Sequence, residues 1–272
     1  MITNTTQKVI FSILILLSAL LLSFPIIYAF LMAFMNPEDI SLRKLWPSEF
    51  TFENFIYIFD AFPLLHYLKN SLIVTIIITV GQLVTSCLAA YAFVFLKFKG
   101  RNVLFYLFIS TMLIPNESIV VQNFLTTQNL GLLNSYGGLT LPFFATAFGT
   151  FLLRQHFLTV PSELREASMI EGVGHIKYLL KVVIPYCRSS IVTFSVYTFI
   201  TSWNMYLWPL LVTNNEEYRT VQIGVKQLIT EETATQWGGV MAGVIIVMLP
   251  TLLLLFISQR FLQKGLTEGA IK

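Results

Sequence analysis

The sequence predicts an all-α membrane protein with six transmembrane helices and both termini in the cytoplasm. Three observations support this prediction: the composition, the lengths of the apolar runs and the distribution of charge. The 272 residues are 56% hydrophobic and 11% charged, with a mean hydropathy of +0.73. A soluble domain carries about 25% charged residues, so a single core in water could not cover this much apolar surface.

Six apolar runs are long enough to cross the ~30 Å hydrocarbon core of a bilayer, which takes about 18 or more helical residues. The first run contains Pro25, which a membrane helix tolerates as a kink. This run is about twice as long as the apolar region of a signal peptide, so we expect it to be retained. The runs are Val9–Met35, Asn70–Leu96, Asn102–Phe124, Gly137–Leu153, Ser189–Thr213 and Val240–Ser258.

The charges predict the orientation. With the N-terminus inside, most of the 17 Lys and Arg residues fall on the cytoplasmic side, whereas most of the 14 acidic residues fall outside. The positive-inside rule therefore places both termini in the cytoplasm, in agreement with an even number of helices. We divide the chain into residues 1–68, with the first helix and an external segment, and residues 69–272. The second part is a five-helix core with a cytoplasmic loop at about 154–188.

Several classes of function are excluded by missing residues. A net charge of +3 leaves no basic stripe for nucleic acid. His66, His156 and His175 lack metal-ligand spacing, and no nucleophile–base pattern is present. We therefore predict no catalytic site and no metal site, which argues against a membrane enzyme. An ion-coupled secondary transporter is the alternative function, although no predicted span carries the acidic residue near its middle that ion coupling would need.

Polar and aromatic residues lie together in the fifth apolar run. Asn204 is about 21 Å from the cytoplasmic start of that run if the run is helical, and a polar group at that depth faces a cavity or another helix. With Trp203, Tyr206 and Trp208, it is predicted to line a path for a sugar-like solute. In the alternative, Asn204 joins helices by a hydrogen bond and Trp208 anchors the outer interface.

The longest cytoplasmic stretch predicts a helix, a glycine turn and a second helix. Ser162 is predicted to cap the first helix, and Glu163 and Glu166 then lie near its positive end. Gly172 and Gly174 are predicted to end that helix with a left-handed backbone turn. On the helical pattern alone, an ordinary amphipathic linker between two spans fits equally well.

The spacing of this loop resembles the "EAA" loop of ABC importer permeases. Glu166-Ala167-Ser168, three residues, Gly172, nine residues and Val182-Val183-Ile184-Pro185 follow that family's pattern, and the substitutions at Ser168, Val182 and Ile184 keep the size close. Other stretches are similar to the carbohydrate-uptake permeases, on the maltose-type inner subunit side. They are Ala90–Phe93, Phe98–Arg101, Leu130–Leu132, Tyr136–Pro142, Trp203–Leu210 and Gln259–Lys272.

The resemblance implies a type I ABC importer permease fold and a non-catalytic subunit in the plasma or inner membrane of a prokaryote. It implies a second homologous permease subunit, two ATPase subunits that bind ATP and Mg²⁺, an extracellular solute-binding protein and surrounding lipid. This chain would hold no cofactor, and it contains no G-x-x-x-x-G-K-[ST] phosphate loop. The residues implied in coupling to the ATPase are Glu163, Glu166, Ala167, Ser168, Gly172 and Gly174.

Two classes of solute stay open. Trp203–Leu210 and Val221–Met241 are similar to permeases for sn-glycerol-3-phosphate and its diesters, whereas related permeases carry oligosaccharides such as maltose, arabinan or raffinose-type sugars. A phosphate ligand favours a cationic lining, and no Lys or Arg lies in the interior of a predicted span.

Overall fold

A computed structural model describes residues 5–230 and 236–267, and every regular element in these ranges is a helix. The all-α prediction is therefore confirmed for the described residues. Residues 268–272 of the C-terminal resemblance lie outside them. The helices in chain order are α1 (Thr5–Ala33), α2 (Pro37–Ser41), α3 (Glu53–Ala61), α4 (Leu64–Phe95), α5 (Arg101–Ser110), α6 (Asn116–Asn129), α7 (Tyr136–Thr140), α8 (Ala147–Phe157), α9 (Ser162–Ile170), α10 (His175–Tyr178), α11 (Ile184–Tyr186), α12 (Arg188–Trp203), α13 (Leu207–Val212), α14 (Val221–Thr230) and α15 (Trp237–Thr267).

Contacts divide the chain into two units. The first unit comprises Met1–Leu65 and Gly224–Leu249, and the second comprises His66–Ile223 and Pro250–Lys272. The predicted division at residue 68 separates the first span and its external segment from the other five spans. It describes membrane topology rather than contacts, so it stays a prediction.

In the first unit, two buried polar side chains fix the segment that follows α1. The amide Nδ2 of Asn54 donates to the carbonyl oxygens of Ala33 at 3.0 Å and Met35 at 2.7 Å. The carboxylate of Asp39 accepts hydrogen bonds from Lys44 Nζ and from the Ser48 backbone N–H, both at 2.7 Å. These two bonds hold the pKa of Asp39 below its ordinary value of 3.8. The segment is therefore ordered by specific polar contacts.

Among residues 5–230 and 236–267, three helices are long and apolar enough to span a bilayer by length and composition: Gln7–Ala33, Leu64–Phe95 and Trp237–Gln259. They contain most of the first, second and sixth predicted runs. The most apolar stretch of α1 has no buried residue, as expected for a helix that faces lipid.

In the described residues, three pairs of helices are bent at a short break. Arg101–Leu113 meets Glu117–Asn129 at 103°, Tyr136–Phe143 meets Ala147–Phe157 at 49°, and His175–Tyr186 meets Arg188–Trp203 at 85°. Two breaks lie within the third and fourth predicted runs. The third break lies at Cys187, just before the fifth run, and that run is instead interrupted where α12 ends at Trp203. The number of spans stays a prediction.

Local features of the chain mark each break. Pro115 has an extended backbone (φ −60°, ψ 136°) and lacks an N–H. Thr146 uses its hydroxyl to cap α8 by accepting from the Gly149 N–H at 3.4 Å. Cys187 leaves helical geometry at φ −93°, ψ 21°. If each bent pair is one span, the chain has up to six spans.

The second unit has a tightly packed centre where α8 approaches its neighbours. Gly149 of α8 lies against Ser86 of α4 and Phe194 of α12, and a Cβ added at Gly149 would lie 2.6 Å from Ser86 Oγ and closer still to the ring of Phe194. A second buried cluster includes Trp208, whose Nε1 donates to the Gly138 carbonyl oxygen at 3.1 Å. Helix α8 is therefore packed closely against α4 and α12, and α13 is hydrogen-bonded to α7.

Candidate functional site

The first helix of the loop at residues 154–188, α9, begins one residue earlier than a Ser162 cap would require. Ser162 is the first helical residue, and Pro161 occupies the cap position without a side-chain hydrogen bond. The predicted capping role of Ser162 is therefore wrong. Pro161 has the non-helical backbone of a cap residue (φ −57°, ψ 138°), so Ser162 is already inside the helix and cannot cap it. Glu163 lies in the first turn of α9, as predicted.

The end of α9 is a Schellman turn centred on Gly172. The N–H of Val173 donates to the Ser168 carbonyl oxygen at 2.9 Å, and the N–H of Gly172 donates to the Met169 carbonyl oxygen at 3.0 Å. Gly172 has φ 69°, which confirms its predicted left-handed conformation. Gly174 has φ −67° and ψ 161°, so the same prediction for Gly174 is wrong.

Arg165 fastens α9 to the end of α4. Its Nη2 donates to the Phe95 carbonyl oxygen at 2.6 Å, and its guanidinium carbon lies 5.6 Å from the centre of the Phe95 ring. A charge-assisted hydrogen bond of this kind is stronger than a neutral one. No sequence pattern points to Arg165, because periodicity and motif spacing say nothing about a pair 70 positions apart.

A second contact joins the turn after α9 to the same helix. The hydroxyl of Tyr91 in α4 and Nδ1 of His175 in α10 form a 2.8 Å hydrogen bond. Tyr91 and Phe95 also pack against Tyr178, with ring centres 6.4 Å and 5.5 Å apart. Both ends of the segment that contains α9 are thus attached to the last turns of α4.

The outward surface of α9 is uncovered. No residue of α9 is buried, and Ser168 is half-buried while Glu163, Glu166, Ala167, Gly172 and Gly174 are exposed. Two apolar side chains that the motif does not include, Met169 and Ile170, are 57% and 87% exposed here. Two apolar side chains with exposed polar neighbours therefore lie on the surface of α9, an arrangement that is typical of an interaction site.

The predicted solute-path residues separate into two pairs. Trp203 and Trp208 are buried in the second unit at 2% and 4% exposure, whereas Asn204 is exposed and Tyr206 half-exposed. Helix α12 ends at Trp203, so Asn204 does not lie inside an unbroken helix. Its Nδ2 donates to the Ile200 carbonyl oxygen at 2.8 Å, and its Oδ1 accepts from Gln222 Nε2 at 3.5 Å.

Residues 3–268 match the protein family described as "Binding-protein-dependent transport system inner membrane component". The chain belongs to this family. The permease is 35% identical over 266 residues to the sn-glycerol-3-phosphate transport system permease protein UgpE of Yersinia pestis bv. Antiqua (strain Antiqua), a match that covers 94% of this chain and 95% of that protein. It is 34% identical over 271 residues to UgpE of Agrobacterium fabrum, with 96% of each chain covered.

A solved structure has the same fold. The crystal structure of a bacterial ABC transporter involved in the import of the acidic polysaccharide alginate aligns with a TM-score of 0.88 at 22% sequence identity, covering 96% of this chain and 98% of that one. The predicted permease fold is therefore confirmed.

Family membership establishes what kind of protein this is. The permease is a multi-pass inner-membrane subunit of an ATP-driven importer, it is not catalytic, and ATP is hydrolysed by a separate subunit. An ion-coupled carrier is thereby excluded. In the ranges 5–230 and 236–267, no three His, Cys, Asp or Glu side chains form a group that could hold a metal ion.

We expect Asn204→Leu to lower solute uptake about fivefold, the effect of losing a hydrogen bond worth roughly 1 kcal/mol. Leucine can neither accept from Gln222 nor bind a solute hydroxyl. Thr201→Val is the matched control, because Thr201 is exposed at the same end of α12 and bonds only to its own helix. The measurement is uptake together with the amount of ATPase that co-purifies. Equal loss of both in Asn204→Leu would make this residue structural.

Proposed function

We propose that the permease forms half of the translocation path of an importer for a glycerol-phosphate-type or carbohydrate solute, with six spans and cytoplasmic termini. The three long helices and the three bent pairs provide up to six spans. The excess of Lys and Arg in the loops assigned to the cytoplasm supports the orientation. A second homologous permease, two ATPase subunits and an external solute-binding protein complete the complex.

The exposed, doubly attached helix α9 is the observation that carries the proposal. It offers Ile170 and Met169 to a partner, and it is fixed to α4 by Arg165 and Phe95. We infer that α9 is seated on the ATPase, where ATP and Mg²⁺ bind. Movement of the ATPase then shifts α9 as a rigid element and passes to the long helix α4, in the manner of a hinge or shear transition.

Charge reversal on α9 tests the coupling role. We expect Glu166→Lys to lower solute uptake and solute-stimulated ATP hydrolysis about tenfold, which corresponds to about 1.4 kcal/mol of docking free energy, because a like charge at an interface opposes docking. Glu49→Lys is the matched control, since Glu49 is also exposed and belongs to the first unit. Normal uptake and normal stimulation in Glu166→Lys would overturn the coupling assignment.

Two relatives support a glycerol-phosphate solute, because each is named an sn-glycerol-3-phosphate permease and matches nearly the whole chain. One observation favours a carbohydrate instead: α4 carries no Lys or Arg beyond Lys69, close to its start, and α12 carries none beyond Arg188, its first residue. A phosphate would then have to be neutralised by another subunit.

The solute class is tested on the binding protein of the same system. Calorimetric titration with sn-glycerol 3-phosphate and with maltose-type oligosaccharides compares the two classes directly. Tight binding of the phosphate alone establishes the first class, and tight binding of an oligosaccharide alone establishes the second.

A further inference from the structure

A basic groove lies where α4 ends and α5 begins, away from α9 in the sequence. Its volume is about 490 Å³. Five consecutive residues here carry three cations, Lys97, Lys99 and Arg101, while no Asp or Glu occurs between Asp60 and Glu117. The groove is lined by Lys97, Phe98, Gly100, Arg101, Asn102 and Val103.

The positive charge of the groove is not neutralised by the surrounding protein. Neither Lys97 nor Lys99 forms an ion pair with any acidic side chain of the described ranges, and both are exposed. Arg101 is held in place because its Nη1 donates to the carbonyl oxygens of Val94 at 3.4 Å and Leu96 at 3.3 Å. Its other N–H donors are left for an anion.

Backbone N–H groups at the start of α5 add further hydrogen-bond donors to the groove. Gly100 precedes α5 in a left-handed conformation (φ 80°) and provides no side-chain cap. The first N–H groups of a helix have no partner within the helix, and they carry partial positive charge. Because the first turn of the ten-residue helix α5 lines the groove, an anion there meets side-chain cations and backbone donors together.

An apolar face continues directly from the groove. Val103, Tyr106 and Leu107 share one side of α5 and are 64%, 71% and 61% exposed. The opposite side is anchored by Phe105, which is buried beneath the Arg154 guanidinium at 4.0 Å. A small soluble anion makes no apolar contacts with such a face, whereas the acyl chains of a lipid would cover it.

We propose that this groove binds the phosphate headgroup of an anionic phospholipid, with its acyl chains along Val103, Tyr106 and Leu107. Clusters of Lys and Arg at the cytoplasmic end of a membrane helix attract anionic lipids. The choice of the cytoplasmic leaflet rests on the orientation under the proposed function. The headgroup site itself does not depend on which solute is transported.

The test counts lipids on the full-length permease in the complex in which it purifies. The complex is exchanged into detergent with a mixture of phosphatidylglycerol and phosphatidylcholine, and retained lipids are identified by native mass spectrometry. We expect a preference for phosphatidylglycerol that Lys97→Gln/Lys99→Gln lowers about 30-fold, at about fivefold for each lysine near the surface.

The matched control is Lys177→Gln/Lys181→Gln, which removes two exposed lysines from the same predicted side of the membrane. We expect this control to keep the lipid preference. An equal loss in both double variants, or no preference for phosphatidylglycerol in the wild type, would overturn the proposal. Counting the retained lipids requires neither ATP hydrolysis nor solute transport. The outcome is therefore independent of a failure of the proposed transport function.

Two further arms separate a lipid from a free phosphate. Inorganic phosphate and sn-glycerol 3-phosphate are each added as competitors to the lipid-bound complex. We expect neither to displace phosphatidylglycerol, because neither reaches the apolar face of α5. Displacement by either at the concentration of the lipid would show that the groove is a site for a soluble phosphate, and it would overturn the assignment to lipid.

Discussion

Gly149→Ala is expected to lower the stability of the folded permease strongly. The new methyl group would lie 2.6 Å from Ser86 Oγ and closer still to the Phe194 ring, so α8 would have to move away from both α4 and α12. Overpacking of this kind costs about 1–3 kcal/mol or more, a large part of the stability of an ordinary domain. The measurement is the thermal midpoint and the monodisperse fraction in detergent.

Gly137→Ala is the matched control for this prediction. A Cβ at Gly137 would lie 3.5 Å from Leu132 Cδ2, which is ordinary contact. Alanine in place of a helical glycine typically gains about 0.5–1 kcal/mol, so this variant is expected to fold at least as well as the wild type. Equal behaviour of the two alanine variants would contradict the close packing of α8.

A double variant assigns the clash at Gly149 to one neighbour. Gly149→Ala/Phe194→Leu removes the ring that lies nearest to the added methyl group. We expect it to recover part of the thermal midpoint lost by Gly149→Ala, since residues in contact show non-additive effects. No recovery would mean that Ser86 alone, or a shift of the backbone, determines the cost.

The sequence predicts the fold well where a long, continuous apolar run determines the structure. Residues 64–95 hold apolar side chains without an internal proline, so a long apolar helix is the only structure that satisfies their backbone in lipid. The breaks between the bent helices are harder to predict, because each depends on the backbone geometry at one or two residues. At Thr146 a side-chain cap starts a new helix, and at Cys187 the backbone departs from helical geometry, but neither residue type predicts a break by itself.

The candidate site shows the same limit. Motif spacing locates α9, and the glycine pattern locates its end at Gly172. What attaches α9 to the rest of the protein is the pairing of Arg165 with Phe95, and no local pattern in the sequence encodes that pairing. The exposure of Ile170 was missed for a related reason, since an apolar residue in a short amphipathic helix is normally expected to face inward.

Gly172→Val is expected to lower solute uptake about 30-fold, whereas Gly172→Asn is expected to stay within about threefold of the wild type. Both side chains enter open space, because no atom lies within 4 Å of a Cβ built at Gly172. The two variants therefore differ in how well they tolerate the positive φ of 69°. An L-residue in this region costs about 1–2 kcal/mol, and the cost is highest for β-branched residues and lowest for Asn.

The strain acts on α9 through its last two hydrogen bonds. When residue 172 leaves the left-handed region, the N–H groups of residues 172 and 173 no longer reach the carbonyl oxygens of Met169 and Ser168. Under the proposed coupling role, α9 then loses the geometry in which it docks, and the apparent affinity for the ATPase falls with the docking-competent fraction. Co-purified ATPase should therefore fall together with uptake, while the thermal midpoint stays near the wild-type value because α9 is exposed. Equal uptake by the Val and Asn variants would show that the Schellman turn is not what positions α9.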